Sequence, residues 1–115
     1  MLMVAARLDA LGRIGRALAD PTRSRLLIAL LEGPAYPSDL AKSLMLTRAN
    51  VSNHLSCLRS CGMVTATPEG RQVRYQLSDP ALAHALNDLA ALVLKVDQEI
   101  ACLPAEERDL QGVDR

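Results

Sequence analysis

Apolar residues recur along this chain with two different periods. From about Met3 to Leu18, Val4, Leu8, Leu11, Ile14 and Leu18 return every three or four positions, which predicts an amphipathic helix. Asp20-Pro21 then opens a second helix: the carboxylate caps free N–H groups, and proline takes a place that needs no N–H. This helix carries Leu26, Leu27, Leu30 and Leu31 and stops at Glu32-Gly33-Pro34. A short third helix is expected after Pro37, burying Leu40 and Leu44, and Thr47 is a good N-cap for a fourth. Two helices joined by so brief a turn read as helix-turn-helix.

Past Gly62 the period drops to two. Val64 and Ala66 alternate with polar neighbours, Pro68-Glu69-Gly70 supplies turn chemistry, and Val73, Tyr75 and Leu77 alternate again. This is a β-hairpin in the place where a winged helix carries its wing. A last helix is expected from about Asp79-Pro80, with Leu82, Leu86, Leu89, Val93, Val96 and Ile100 spaced as a seam that wants a partner helix. Packing on its own domain would leave the same stripe. The polar stretch 104–115 reads as a flexible tail, leaving 1–103 as one DNA-binding and dimerisation domain. The fold class expected is mainly α with a β-hairpin, a winged helix-turn-helix forming a homodimer through its N- and C-terminal helices.

Composition adds constraints. With no Trp and no Phe, the core must be aliphatic, which suits packed helices better than a sheet. At 115 residues the chain is too short to bury a large core without a partner, so a homo-oligomer is expected. No segment approaches the roughly 18 apolar residues of a membrane span, and Arg7, Asp9, Arg13 and Arg16 interrupt the N-terminus where a signal peptide would be apolar. A cytoplasmic protein without a membrane partner is expected. Three cysteines, an odd number, argue for reduced thiols and against a disulfide framework.

The net charge of zero hides a gradient. Residues 42–74 hold Lys42, Arg48, Arg59, Arg71 and Arg74 against Glu69 alone, whereas residues 75–115 hold three basic and eight acidic side chains. The positive block coincides with the candidate reading head. On a helical wheel of that head, Val51, Leu55 and Leu58 form one apolar face, with Asn50, Asn53 and His54 opposite and Ser52 on the flank. Amides and hydroxyls on the N-terminal half of such a helix are groups that read base edges in the major groove. Arg71 and Arg74 flank a wing tip that suits phosphates or the minor groove. The set expected to touch double-stranded operator DNA is Thr47, Arg48, Asn50, Ser52, Asn53, His54, Arg71, Gln72 and Arg74.

Cys57 and Cys61 extend the polar side of the same helix. Four residues apart, their Cβ atoms lie roughly 5–6 Å from each other, which suits one soft metal ion bound by both sulfurs. The other use of a cysteine here is as a small core filler, but leucine and valine already supply the buried face. Because soft ions usually take three or four ligands, two thiolates are incomplete, and the chain offers one more thiol at Cys102. A 23-residue last helix would be roughly 34 Å long and carry Cys102 far from its own reading head; in an antiparallel pair of such helices the partner's Cys102 would come near. A thiolate trio suits cadmium(II) or lead(II) better than a hard ion such as magnesium(II), and zinc(II) and copper(I) are chemically allowed.

Three stretches carry a family resemblance: Ala17-Leu18-Ala19-Asp20-Pro21-Thr22-Arg23, the run Thr47 to Val64 with Val51-Ser52-Asn53-His54-Leu55, and Glu69-Gly70-Arg71-Gln72-Val73-Arg74-Tyr75. Over about residues 5–102 the chain resembles the ArsR/SmtB family of winged-helix repressors, and its three cysteines are placed as in cadmium- and lead-sensing members. The resemblance implies a homodimer that binds an operator without metal and releases it when cadmium(II) or lead(II) binds, freeing a metal-efflux gene. Cys57 and Cys61 would come from one protomer and Cys102 from the other.

The chain also departs from the family. Where many relatives carry a Cys-x-Cys pair, it has Tyr36 and Ser38, and it lacks the paired histidines of zinc-sensing members, so His84 and Asp88 read as surface residues. His54 can serve as a fourth metal ligand, a DNA contact or a surface residue, with DNA contact taken first. A redox-responsive repressor using the same thiols is the alternative function. No enzyme is expected, because neither His54 nor His84 has an evident acid partner to orient it as a base.

Overall fold

The computed structural model describes residues 2–101, with side-chain surroundings for residues 3–92. The order is α1 (Leu2–Ala19), α2 (Pro21–Leu30), α3 (Pro37–Leu44), α4 (Arg48–Ser60), β1 (Val64–Glu69), β2 (Gln72–Leu77) and α5 (Pro80–Ala101). It is a winged helix-turn-helix, as the periodicities imply. The chain divides into two units, Met1–Ala83 and His84–Arg115.

Local chemistry sets the helix ends. The Asp20 carboxylate accepts from the Thr22 and Arg23 N–H groups at 2.9 and 3.1 Å, and Pro21 follows at the first helical position of α2. Thr47 Oγ1 accepts from the Asn50 N–H at 3.1 Å and starts α4. Between them, α3 ends at Met45, a non-glycine residue in the left-handed region with φ 58°. Its N–H meets the Ala41 and Lys42 carbonyls. The Arg25 guanidinium donates to the Leu44 carbonyl, tying α2 to the turn that joins α3 to α4.

The core of the first unit joins these elements. Leu26, Leu27 and Leu30 of α2, Leu40 and Ala41 of α3, and Val51, Leu55 and Leu58 of α4 are buried together with Met63 and Val64. Each buried leucine or valine contributes about 1.5–3 kcal/mol relative to exposure. Leu44, expected inside, is half-buried near the end of α3, and Leu31 is half-buried as the C-cap of α2. The stripe on α1 behaves differently: Ala17 is buried near its C-terminus, but Val4, Leu8 and Leu11 are more than half exposed. On α5, Leu86 is buried, while Leu89 and Leu92 are exposed. The side chains of Val93, Val96 and Ile100 lie outside the described residues, as do Cys102 and the whole tail 104–115.

The hairpin pairs Val64 with Leu77, Ala66 with Tyr75, Thr67 with Arg74 and Glu69 with Gln72. Its turn is one step later than the Pro68-Glu69-Gly70 run suggests: both Pro68 and Glu69 belong to β1, and the loop is Gly70-Arg71. Pro68 is tolerated because a two-stranded sheet is all edge, so a residue without an N–H can face outward. Gly70 supplies the positive φ, 61°, that a two-residue hairpin loop needs at its first central position. Ala35 adds a short third rung beside β2, exchanging both backbone hydrogen bonds with Tyr75 at 2.9 and 2.8 Å.

Candidate nucleic-acid interface and thiol pair

With Val51, Leu55 and Leu58 fully buried, the rest of α4 is committed to the surface. Arg48, Ser52, Asn53 and Cys57 are exposed, but Asn50 and His54, expected opposite the apolar face, are half-buried, because at about 100° per residue both stand nearer its flank. His54 lies near the Asp20 carboxyl at the start of α2. The backbone N–H of Arg23, then the nearby His54, the Thr22 N–H and the Arg23 charge, outweigh partial desolvation and hold Asp20 below the usual carboxylate range.

The wing reaches the same surface. A cavity of about 260 Å³ lies where α3, α4 and the hairpin meet, lined by Tyr36 and Ser38, by Arg48 and Ser52 of α4, and by Arg71 and Gln72 of the wing. Residues distant in sequence thus line one groove that carries two arginines, Arg48 and Arg71, a charge that suits a phosphate backbone. Thr47 stands just before it as the α4 cap.

Arg74 is not free. Its Nε lies 3.3 Å from Glu69 Oε2, and the other carboxylate oxygen of Glu69 accepts from the Tyr36 hydroxyl. That hydrogen bond to a carboxylate pushes the Tyr36 phenol up from its ordinary pKa. Sequence reading missed this link, treating Tyr36 only as a place where a family thiol is lacking. The one available signal was Glu69, the sole acid in the basic stretch 42–74.

At the other end of α4, Cys57 is exposed, Cys61 is half-buried, and both thiols are free. Cys61 caps the helix, its N–H donating to the Cys57 carbonyl at 3.0 Å, so one helical turn joins the pair. Cys61 also lines a cavity of about 290 Å³ with Asp9, Arg13, Gly62, Ser78 and Leu82. Two soft donors on adjacent turns fit a thiophilic ion, but they fill only part of its coordination sphere. Among the described residues, no group of three or more His, Cys, Asp or Glu side chains is placed to hold a metal. His84 and Asp88 are exposed. Ser24 instead serves the fold, its hydroxyl donating to the Leu18 carbonyl at 2.7 Å across the α1–α2 junction. No helix among the described residues is long and apolar enough to cross a membrane.

Comparison with known proteins agrees with the winged helix-turn-helix fold. Residues 20–66 match the family model for bacterial regulatory proteins of the arsR family. The HTH-type transcriptional regulator CmtR of Mycobacterium tuberculosis is 61% identical over 114 residues, 99% of this chain and 97% of that protein. The NMR structure of the cadmium metal sensor CmtR from the same organism superposes with a TM-score of 0.62 at 66% identity, covering 71% of this chain and 85% of that one. A homodimeric winged helix-turn-helix DNA-binding domain from Mycobacterium bovis, Mb0332, gives 0.69 at 32% identity, covering 83% of this chain and 84% of that one.

Proposed function

The chain belongs to the ArsR family of bacterial regulatory proteins, a family of regulators and not of enzymes, and from that premise we propose that it is a cytoplasmic, metal-responsive repressor. It binds operator DNA as a homodimer and releases it when its thiolates take cadmium(II) or lead(II), derepressing metal-efflux genes. The observation that carries this reading is the placement of two free thiols, Cys57 and Cys61, on the helix whose N-terminal half presents Ser52 and Asn53. The near full-length similarity to CmtR supports it.

In this account Asn50, Ser52, Asn53 and His54 meet base edges, while Thr47, Arg48, Arg71, Gln72 and Arg74 meet phosphate and sugar. The exposed apolar faces of α1 and α5, with Val4, Leu8, Leu11, Leu89 and Leu92, pack against a second copy. Residues 1–103 serve as the DNA-binding and dimerisation domain. Cys57 and Cys61 hold the ion with Cys102 of the partner subunit as the third sulfur, a soft donor set that selects cadmium or lead and also admits zinc(II).

The coupling is short. Four residues separate Asn53 from Cys57, about 6 Å along a helix that moves as a rod. Tethering the C-terminal half of α4 to the partner subunit re-aims its N-terminal half, so two heads that matched the operator half-sites no longer match together. A 100-fold loss of DNA affinity requires about 2.7 kcal/mol of preference for the released state, within the usual allosteric range.

The test is to titrate the reduced protein with cadmium(II) while following thiolate-to-metal charge-transfer absorption in the ultraviolet, beside Cys57→Ser, Cys61→Ser and Cys102→Ser. About one ion per protomer in the wild type and a weakened band in each variant are expected. No band in the wild type, with ready oxidation by mild peroxide, would replace the metal by an oxidant as inducer.

A further inference from the structure

The pair Glu69–Arg74 calls for an account, because a carboxylate on a surface that meets a polyanion opposes binding. Glu69 is the single acid among residues 42–74, where five basic side chains stand. It is also held in place. Partners across a hairpin share a face, so Thr67, Arg74, Glu69 and Gln72 project on the same side, and Glu69 stands diagonal to Arg74, within reach of long side chains. The Ala35–Tyr75 rung brings Tyr36 alongside Arg74 from the other edge. Both carboxylate oxygens of Glu69 are thereby engaged, one by the Tyr36 hydroxyl and one by Arg74.

Arg74 is less firmly held than Glu69. The two side chains are 38% and 37% exposed, so solvent screens their attraction. The buried Nε of Arg74 lies 3.3 Å from the carboxylate but has no hydrogen bond of good geometry. Charge alone keeps the arginine beside Glu69, and a phosphate offering bidentate acceptors competes well for it.

We propose that Glu69, anchored by Tyr36, sets the strength of DNA binding by holding Arg74 back from the phosphate backbone. The protein must exchange Arg74–Glu69 for Arg74–phosphate on every encounter, which lowers affinity for operator and unrelated DNA alike and keeps the complex within reach of release. This inference rests on the reading that the wing contacts DNA, and the experiment separates the two.

DNA affinity is measured by fluorescence anisotropy against salt concentration for the wild type, Glu69→Gln, Arg74→Ala and the double variant, on operator and on unrelated duplex. Glutamine keeps an oxygen for the Tyr36 hydroxyl and puts an uncharged NH2 in place of the oxygen beside Arg74. Glu69→Gln is expected to bind both duplexes about 1.4- to fivefold more tightly, the range of one released exposed ion pair. Its salt slope should steepen by up to about one unit. In the Arg74→Ala background the gain should disappear. If Glu69→Gln binds equally or more weakly while Arg74→Ala loses affinity, Glu69 is a support of the wing and the proposal is overturned, with the wing contact intact. A gain that persists without Arg74 also overturns it, since the carboxylate would then act through bulk charge. If Arg74→Ala changes neither affinity nor slope, both the proposal and the wing contact fail.

Discussion

The two halves of α4 are built to different degrees of completion. The N-terminal half is finished by the chain's own residues: Thr47 caps it, Val51 and Leu55 seat it in the core, and the hairpin brings Arg71 and Gln72 to the groove beside Arg48 and Ser52. The C-terminal half is seated by Leu58 but ends in two free thiols, fewer donors than a soft ion takes. The difference assigns the roles. On the proposed function, each reading head is complete within its own protomer, whereas the thiol pair draws a further donor from elsewhere.

The largest effect expected comes from the residue both halves share. Leu55→Ala empties a fully buried position between them and should cost about 2–5 kcal/mol of unfolding free energy in denaturant titrations. DNA and metal responses should be lost together. Cys57→Ser, Cys61→Ser and Cys102→Ser should split the halves, leaving affinity for DNA as it is and removing release by cadmium, a change of about 2.7 kcal/mol for a 100-fold release. Should all three variants still release DNA with cadmium, the thiol site is misassigned. Arg74→Ala acts on the reading surface alone: binding should weaken for most sequences alike, with the salt slope falling by about 0.9.

Smaller effects sharpen the local account. Thr47→Ala removes the α4 cap and should cost about 1 kcal/mol of stability, read from the shift in thermal midpoint. Asp20 has its folded pKa lowered, so its charge stabilises the fold fully above the ordinary value of 3.8 and loses that effect as pH falls through the lower folded value. The stability difference between wild type and Asp20→Asn should therefore shrink on acidification below that value. A difference that stays constant there would mean the carboxylate's charge has no part.

How much of this was legible in the sequence depends on the range of each interaction. Asp20 and Thr47 announce their caps because a cap is a contact over two or three residues. The wheel of α4 names its buried face because one apolar stripe must enter the core, and Val51, Leu55 and Leu58 do. The wing tip was displaced by one residue, since proline reads as turn chemistry unless the strand is known to be an edge. The Ala35–Tyr75 rung and the Tyr36–Glu69 hydrogen bond were invisible, because they join positions more than thirty residues apart that carry no shared pattern. On α1, the stripe at Val4, Leu8 and Leu11 is correct as a period but silent about its partner. Periodicity says that a face is apolar and not what covers it.

The most direct test of the central claim is anisotropy of the reduced protein on DNA from upstream of its own gene, titrated with cadmium(II) and, as a control, magnesium(II). The account predicts tight binding that magnesium leaves unchanged and that cadmium abolishes at about one ion per protomer. Tight binding that ignores cadmium would contradict it, leaving a DNA-binding protein whose thiols answer to another signal.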